Sequence, residues 1–155
     1  MKNLQLRQYK TSDQDAVWQL HVDGLKQTSS YIDNRKYDED MLSIKDTYLN
    51  NGGEFFVVSL DNKVVGMGGL LKMDNEIAEV KRMRVNIYFQ QKGIGSLILE
   101  NLIRRAKELG YKKLELDTTE NMDAAKRLYE KHGFKEFKRG RAGHLESIFY
   151  ELWLQ

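Results

Sequence analysis

The sequence predicts a single mixed α/β domain in which strands and helices follow an irregular order. At 155 residues, the chain has the length of one domain and can bury a substantial core. Segments with strand-like and helix-like periodicity follow the order β-α-α-β-β-β-α-β-α-β-β. Since no linker, repeat or low-complexity tract interrupts this order, we expect residues 1–155 to form one domain.

Composition excludes several kinds of site. The chain has no cysteine, which excludes disulfides, zinc–thiolate centres and a cysteine nucleophile, and we expect no metal. The net charge of +2 is too balanced to indicate nucleic-acid binding, and the basic runs at 81–84 and 138–141 are interpreted as exposed strand and turn residues. Met1–Arg7 lacks the apolar core of a signal peptide, and no segment is apolar enough to span a membrane. These features predict a cytoplasmic protein.

The first third of the chain is predicted to form one strand and two helices. Asn3–Tyr9 alternates between apolar and polar residues, which is typical of a short strand. Thr11–Asp13 supplies N-cap residues for a helix whose apolar side extends to Leu25. Gln27–Asp38 is polar and irregular and is predicted to be a loop, whereas Asp38–Leu49 returns to helical spacing.

Three strands are predicted next, in quick succession. They cover Glu54–Leu60, Lys63–Met73 and Glu76–Val85. The pairs Asp61-Asn62 and Asp74-Asn75 separate them, and both are residue types that form tight turns. Adjacent strands joined by two-residue turns form an antiparallel meander.

The second half of the chain is predicted to begin with a long helix. Apolar residues from Ile94 to Ala106 recur at spacings of three and four, and Gly110 is a suitable C′ residue. Because this helix separates Tyr111–Thr119 from the preceding strand, those two strands can lie parallel. The other predicted elements are a helix and a final strand pair around a glycine-rich turn: Met122–His132, Phe134–Phe137, Gly140–Gly143 and Glu146–Leu154.

The turn before the long helix is a candidate phosphate site. Gly93 and Gly95 lie where a helix has unpaired backbone N–H groups, which bind phosphate together with the helix dipole. We therefore expect the turn Gln90–Gly95 to hold the diphosphate of a nucleotide-like cofactor. A dinucleotide fold favours a third glycine where Ile98 stands, and a triphosphate loop favours Lys-Ser/Thr where Ser96-Leu97 stands, so both classes are disfavoured.

Three motifs resemble those of a known family. Gln90-x-x-Gly93-x-Gly95 resembles the acyl-CoA pyrophosphate loop of the GNAT superfamily of N-acetyltransferases. Ala125-x-x-Leu128-Tyr129-Glu130-Lys131-x-Gly133-Phe134 resembles a second GNAT segment, and Val65-Gly66 is a weaker third match. The resemblance covers residues 50 to 137. It implies a mixed, mostly antiparallel sheet of about six to seven strands with helices on both faces, and acetyl transfer from acetyl-CoA.

The resemblance also implies how acetyl-CoA is held. Glycines in the turn let backbone N–H groups approach the diphosphate, and a backbone N–H of the preceding strand stabilises the developing oxyanion. Two positions depart from the family pattern, since Ile87 stands in place of a common proline and Met122 in place of a common asparagine. The implied cofactor-binding residues are Met83, Arg84, Val85, Gln90, Gln91, Lys92, Gly93, Ile94, Gly95, Ser96 and Asn121.

Two residues are candidate catalytic groups. By resemblance, Tyr129 protonates the departing thiolate, although its position also suits a core tyrosine. Glu79 is the candidate base, acting directly or through a water, and its alternative is a surface glutamate paired with a neighbouring cation. His144 could relay a proton or be a loop residue without function. His21 and His132 are predicted to lie on helix surfaces.

The sequence therefore predicts an N-acetyltransferase that uses direct attack on acetyl-CoA in a ternary complex. The alternative is a non-catalytic acyl-CoA-binding module. The acceptor is a small-molecule or peptide amine, and acids such as Asp38 and Glu146 favour a cationic one. We expect neither a nucleic acid nor a membrane as partner. Apolar residues between Ile148 and Trp153 belong either to the core or to a homodimer interface.

Overall fold

The computed structural model describes residues 3–27 and 35–155. In this part of the chain, seven strands form one sheet in the order β1-β2-β3-β4-β5-β7-β6. The pair β4 and β5 is parallel, and the other neighbouring pairs are antiparallel. The predicted mixed α/β fold is confirmed. The elements are β1 Leu4–Gln8, α1 Gln14–Gln27, α2 Ile44–Thr47, β2 Glu54–Leu60, β3 Lys63–Lys72, β4 Ile77–Val85, α3 Ile94–Glu108, β5 Lys113–Thr119, α4 Asp123–Lys131, β6 Lys135–Ala142 and β7 Leu145–Trp153.

The predicted second helix is replaced by three short helical segments. A 3₁₀ segment covers Arg35–Leu42, α2 has a single turn, and another 3₁₀ segment covers Leu49–Asn51. The buried residues Met41, Ile44 and Tyr48 are spaced by three and four, a spacing that α and 3₁₀ helices share, so the pattern could not distinguish them. The predicted loop at 27–38 lies largely outside the described residues.

The final hairpin differs from the prediction in length. The strand β6 continues through Gly140, which pairs with Ser147, and the turn falls at Gly143-His144. Gly143 has a φ of +64°, a left-handed conformation that glycine adopts without strain. Because β6 is exposed and carries charges throughout, its sequence has no apolar periodicity that could have located the strand end.

The sheet carries a hydrophobic cluster on each face. The cluster beneath α3 and α4 includes Ile98, Leu102, Leu114 and Tyr129, and the cluster beneath α1 and α2 includes Val17, Ile44 and Met67. The helix α3 packs very close to β3. A Cβ added at Gly68 would lie 2.6 Å from Ile98 Cγ2 and 2.7 Å from Met83 Sδ. This close contact fixes the position of the N-terminus of α3 beside the end of β4.

The strands β4 and β5 separate partway along the sheet. They pair over Ile77–Glu79 and Lys113–Glu115, and then their ladder ends. Beyond that point β4 is still paired with β3, although its register shifts between Met67 and Gly69. Arg82 in this bulge has a φ of +60°. The separation leaves a gap in the sheet at the C-terminal end of β4. We call it the β4–β5 gap.

Among the described residues, every helix is too short or too polar to cross a membrane.

Candidate active site

A cavity of about 720 Å³ lies at the C-terminal end of β4, and we call it the large cavity. Its wall combines the end of β4, the turn before α3 and the first turns of α4. The lining residues are Met83, Arg84, Val85, Ile87, Phe89, Gln90, Gln91, Gly93, Gly95, Ser96, Asn121, Met122, Asp123, Ala124, Ala125, Arg127 and Leu128. The volume is within the range of pockets for small ligands, about 300–1,000 Å³.

The glycine turn presents the N-terminus of α3 to this cavity. Gly93 has a φ of +86° and is the N-cap, and no side chain in the described part of the chain caps the helix there. The first N–H groups of a helix have no acceptor one turn earlier. A Cβ at Gly95 would lie 3.3 Å from Leu128 Cδ2, so a side chain at this position would narrow the cavity. The residues present therefore fit a diphosphate group.

Two amide side chains hold the turn in place. Gln90 Nε2 donates to the carbonyl oxygen of Val85 at 3.0 Å, which ties the turn to the end of β4. The Asn86 Oδ1 atom accepts from the N–H of Tyr88 at 3.0 Å and caps the 3₁₀ turn Ile87–Phe89. This cap constrains the entry to the turn, where the family pattern often has a proline after the strand.

The backbone of Val85 is available to a ligand in the β4–β5 gap. The N–H of Asn86 donates to the carbonyl oxygen of Val65 on β3 at 2.8 Å. Because N–H directions alternate along a strand, the N–H of Val85 points to the opposite edge of β4, toward the gap. Val85 also lines the large cavity. A backbone N–H in this position can donate to an oxyanion.

Tyr129 is a buried phenol next to the large cavity. Its side chain packs edge-on against Phe134 and tilted against Tyr150, with ring centroids 6.0 Å and 6.3 Å apart. Burial raises the pKa of Tyr129 to about 12, and the charge of Arg84 opposes this rise. At neutral pH the phenol is therefore protonated and can donate a proton. Tyr129 itself does not line the cavity among the described residues, whereas its neighbour Leu128 does.

Glu79 lies where β4 and β5 separate. It forms the last pair of their ladder with Glu115, and its side chain is 21% exposed. Burial raises the pKa of Glu79, and the charges of Asp117 and Glu115 raise it further. Lys81 Nζ, 3.8 Å from the carboxylate, opposes the rise. A carboxylate with a raised pKa is a better proton acceptor than an ordinary surface glutamate.

The predicted exposure of the basic run at 81–84 is wrong. The Arg82 side chain is only 14% exposed and bonds Asp40 through Nε at 2.9 Å and Nη2 at 2.6 Å. Its Nη1 atom lies 3.7 Å from Asp38 Oδ1. The prediction assumed strict alternation along β4, and the bulge at Arg82 breaks that alternation. Arg84 is also largely buried, against Gly24 of α1.

The predicted surface position of His21 is also wrong. Its ring is fully buried, and Nε2 lies 3.0 Å from Asp38 Oδ1. Burial lowers the pKa of His21, so the ring is neutral near pH 7. His132 is mostly buried too, since its ring nitrogens contact the carbonyl oxygen of Leu128 and a carboxylate oxygen of Glu100. His144 is exposed in the β6–β7 turn.

The structure brings most of the predicted cofactor-binding residues to one wall. All of them line the large cavity except Lys92, which is exposed, and Ile94, whose side chain is buried in the core. Asn121 lines the cavity beside Met122, so the one-residue offset does not remove it from the site. The sequence interpretation missed the part of the wall that α4 contributes, including Ala124, Ala125, Arg127 and Leu128. Ala125 and Leu128 belong to the second GNAT-like motif, which could have indicated that they line the cavity.

Comparisons with known proteins agree with this geometry. A family model described as "Acetyltransferase (GNAT) family" matches residues 15–134. The camello protein of Xenopus laevis, named as an N-acetyltransferase, is 26% identical to this chain, and the match covers 88% of each protein. A GNAT-family acetyltransferase of Staphylococcus aureus Mu50 superposes with a TM-score of 0.89 at 25% identity, covering 98% of this chain and 99% of that one.

The acetyltransferase YncA of Salmonella typhimurium, solved with its cofactor acetyl-CoA, has a TM-score of 0.83 at 18% identity and shares the fold. That match covers 98% of this chain and 94% of YncA. The family model spans most of the sheet, the glycine turn and α4, and the family resemblance predicted from the sequence is confirmed. The chain belongs to the GNAT family of acetyltransferases.

Proposed function

We propose that this protein transfers the acetyl group of acetyl-CoA to a primary amine by direct attack in a ternary complex. The observation that carries the proposal is the large cavity at the β4–β5 gap. Among residues 3–27 and 35–155, this cavity joins a helix N-terminus without a side-chain cap to a backbone N–H of β4 without a strand partner. Acetyl-CoA is the acyl donor of this family, and the structural neighbour YncA was solved with it.

The donor is held at two places in this proposal. The backbone N–H groups around Gly93 and Gly95 bind the diphosphate at the start of α3. The pantetheine arm follows the cavity wall of β4 and α4, and the N–H of Val85 donates to the thioester carbonyl. Asn121 contributes a polar group to the same wall.

The reaction then needs one base and one acid. Glu79, directly or through a water, removes a proton from the ammonium form of the acceptor, whose ordinary pKa is near 10. The amine nitrogen attacks the thioester carbon, and the N–H of Val85 stabilises the oxyanion. The nitrogen of the tetrahedral intermediate loses its second proton to water, and the intermediate collapses with loss of the thiolate. The thiolate takes the phenolic proton of Tyr129, and the phenolate is reprotonated from solvent before the next turnover. The absence of cysteine supports direct attack, because a cysteine cannot carry the acetyl group.

A Tyr129→Phe variant tests this function. Because the variant loses the proton donor and keeps the ring, we expect kcat to fall by about 100-fold or more, with little change in the Kd for acetyl-CoA. The assay follows free thiol released from acetyl-CoA with a panel of primary amines, and calorimetry gives the Kd. The matched control is Tyr150→Phe, another buried tyrosine of the same cluster.

The alternative function is a non-catalytic acyl-CoA-binding module. The observation in its favour is that Tyr129 does not line the cavity among the described residues. Tight acetyl-CoA binding without thiol release for every amine tested would support this alternative. Turnover that Tyr129→Phe leaves unchanged would instead remove Tyr129 from the mechanism. The cytoplasmic location, the homodimer and the single domain over 1–155 stay predictions from the sequence.

A further inference from the structure

Arg84 is a buried cation with an incomplete set of hydrogen bonds. Within the described residues it forms no salt bridge, and its Nη1 atom donates only to the carbonyl oxygen of Met83, at 3.1 Å. Its Nε atom is buried and has no hydrogen-bond partner in the described part of the chain. An unsatisfied buried donor destabilises a protein by about 1–3 kcal/mol, and more when the group is charged. Such a group therefore suggests a ligand that is bound in the working protein.

The nearby carboxylates do not supply this partner. Asp40 accepts from Arg82 through both of its oxygens and also from the hydroxyl of Tyr48. Asp38 Oδ1 contacts His21 and lies 3.7 Å from Arg82. The two aspartates are thus engaged by groups other than Arg84. The N–H groups at Nε and Nη2 lie on the same edge of the Arg84 guanidinium. Arginine can bind a carboxylate through such an edge with two parallel hydrogen bonds.

Arg84 lies between two cavities. Its neighbours Met83 and Val85 pack against the core beneath α3 and α4, while its own side chain extends to the α1 face of the sheet. There it occupies the space that a side chain at Gly24 would need, since a Cβ at Gly24 would lie 2.5 Å from Arg84 Cδ and 2.8 Å from Arg84 Nε.

Gly24 lines a second cavity of about 260 Å³ between α1 and the residues that follow β4, which we call the small cavity. Val85 lines both cavities, and Arg84 lines the large one. The charged residues that line the small cavity are Asp23 and Lys26, and Arg84 is not among its lining residues. An acceptor that meets the thioester at Val85 would therefore reach Arg84 from the large cavity. The small cavity is slightly smaller than pockets for drug-sized ligands, which start at about 300 Å³, so it can take only a compact part of an acceptor.

We propose that Arg84 binds a carboxylate of the acceptor, so that the substrates are amines that carry a carboxylate, such as free amino acids. This proposal rests on the proposed acetyltransferase function and adds the acceptor class. It differs from the cationic acceptor expected from the sequence, since Asp38, one of the acids that favoured a cation, is engaged by His21 and Arg82.

The test compares matched acceptors. A panel of proteinogenic amino acids is offered both as free acids and as primary amides, and kcat/KM is measured from thiol release. For the wild-type protein we expect the best free acid to exceed its amide by about 10- to 100-fold, the usual strength of hydrogen bonds to a charged group. Arg84→Gln should reduce this ratio to within about threefold. The control is Arg104→Gln, which removes an exposed arginine of α3 and should keep the ratio.

A second measurement does not depend on turnover. The Nε–H resonance of Arg84 is assigned by its loss in Arg84→Lys and is followed by ¹⁵N NMR with CoA bound. The free acid should shift this resonance, and the amide should not. Equal kcat/KM for acids and amides would overturn the carboxylate site and leave the acetyltransferase in place. Absence of thiol release with every acceptor would overturn the proposed acetyltransferase function. In that case, a shift of the Arg84 resonance by the free acid would still support the carboxylate site. An unshifted resonance would overturn both proposals.

Discussion

At the residue scale, the partial burial and the raised pKa of Glu79 support its proposed role as the base. Only part of its side chain is exposed, and Lys81, at 3.8 Å, is its nearby cation. Burial and the negative charges of Asp117 and Glu115 act in the same direction and raise its pKa. In the proposed mechanism Glu79 works in its deprotonated form, so the activity should decline as pH falls through this raised pKa.

Replacing Glu79 by Gln should therefore remove this acid limb from the pH profile of kcat/KM. We expect kcat/KM at neutral pH to fall by about 100-fold, because an amide cannot accept the proton. The control is Glu115→Gln. Since the charge of Glu115 raises the pKa of Glu79, its removal should move the acid limb to lower pH without abolishing activity. An unchanged profile in Glu79→Gln would assign the base to another group.

A comparison of two glycines can separate an effect on diphosphate binding from an effect of backbone strain on stability. Gly93 and Gly110 have φ values of +86° and +89°, and an added Cβ would meet nothing within 4 Å at either position. Alanine should therefore destabilise the protein at both positions by a similar amount, about 1–2 kcal/mol. Only Gly93→Ala should also weaken acetyl-CoA binding, by about tenfold or more, because Gly93 shapes the turn that we propose binds the diphosphate. Equal Kd values for the two variants would argue against this site.

At the element scale, close packing between α3 and β3 sets the position of the site. Gly68→Ala should lower the free energy of unfolding by about 1–3 kcal/mol, because the new Cβ would overlap Ile98 and Met83. Chemical denaturation measures this change. The control is Gly140→Ala in β6, where the nearest atom to the new Cβ is Phe149 Cε2 at 3.4 Å. If Gly68→Ala were as stable as the control, the close packing would not limit the position of α3.

Elements with a clear periodicity were predictable, and short irregular ones were not. The bounds predicted for β2 agree with the structure, and Gly110 follows the end of α3 as expected. In both elements, the apolar pattern and the turn residues that follow it indicate the same end point. The segment 35–51 lacks such agreement, because its few buried side chains suit 3₁₀ and α turns equally. Its structure depends on distant partners, such as the contact of Asp40 with Arg82.

At the scale of the whole molecule, the donor side of the site could be predicted and the acceptor side could not. The donor side is built from Gln90–Gly95 and from a motif in α4, both local in sequence. The acceptor side depends on contacts between segments far apart in the chain, such as His21 with Asp38 and Arg82 with Asp40. No local pattern indicates which acids these cations bind, and the acceptor expected from the residue types alone stays a prediction.

The β4–β5 gap also has a consequence for the dynamics of the free protein. The sheet is interrupted at its centre, so amide protons on the gap-facing edge of β4, including that of Val85, have no strand partner within the part of the chain that the structure describes. In hydrogen–deuterium exchange, the end of β4 should therefore exchange faster than β2, which is paired on both sides. If the pantetheine arm lies along β4 as proposed, acetyl-CoA should slow exchange at the end of β4. Equal protection with and without the ligand would contradict this expectation.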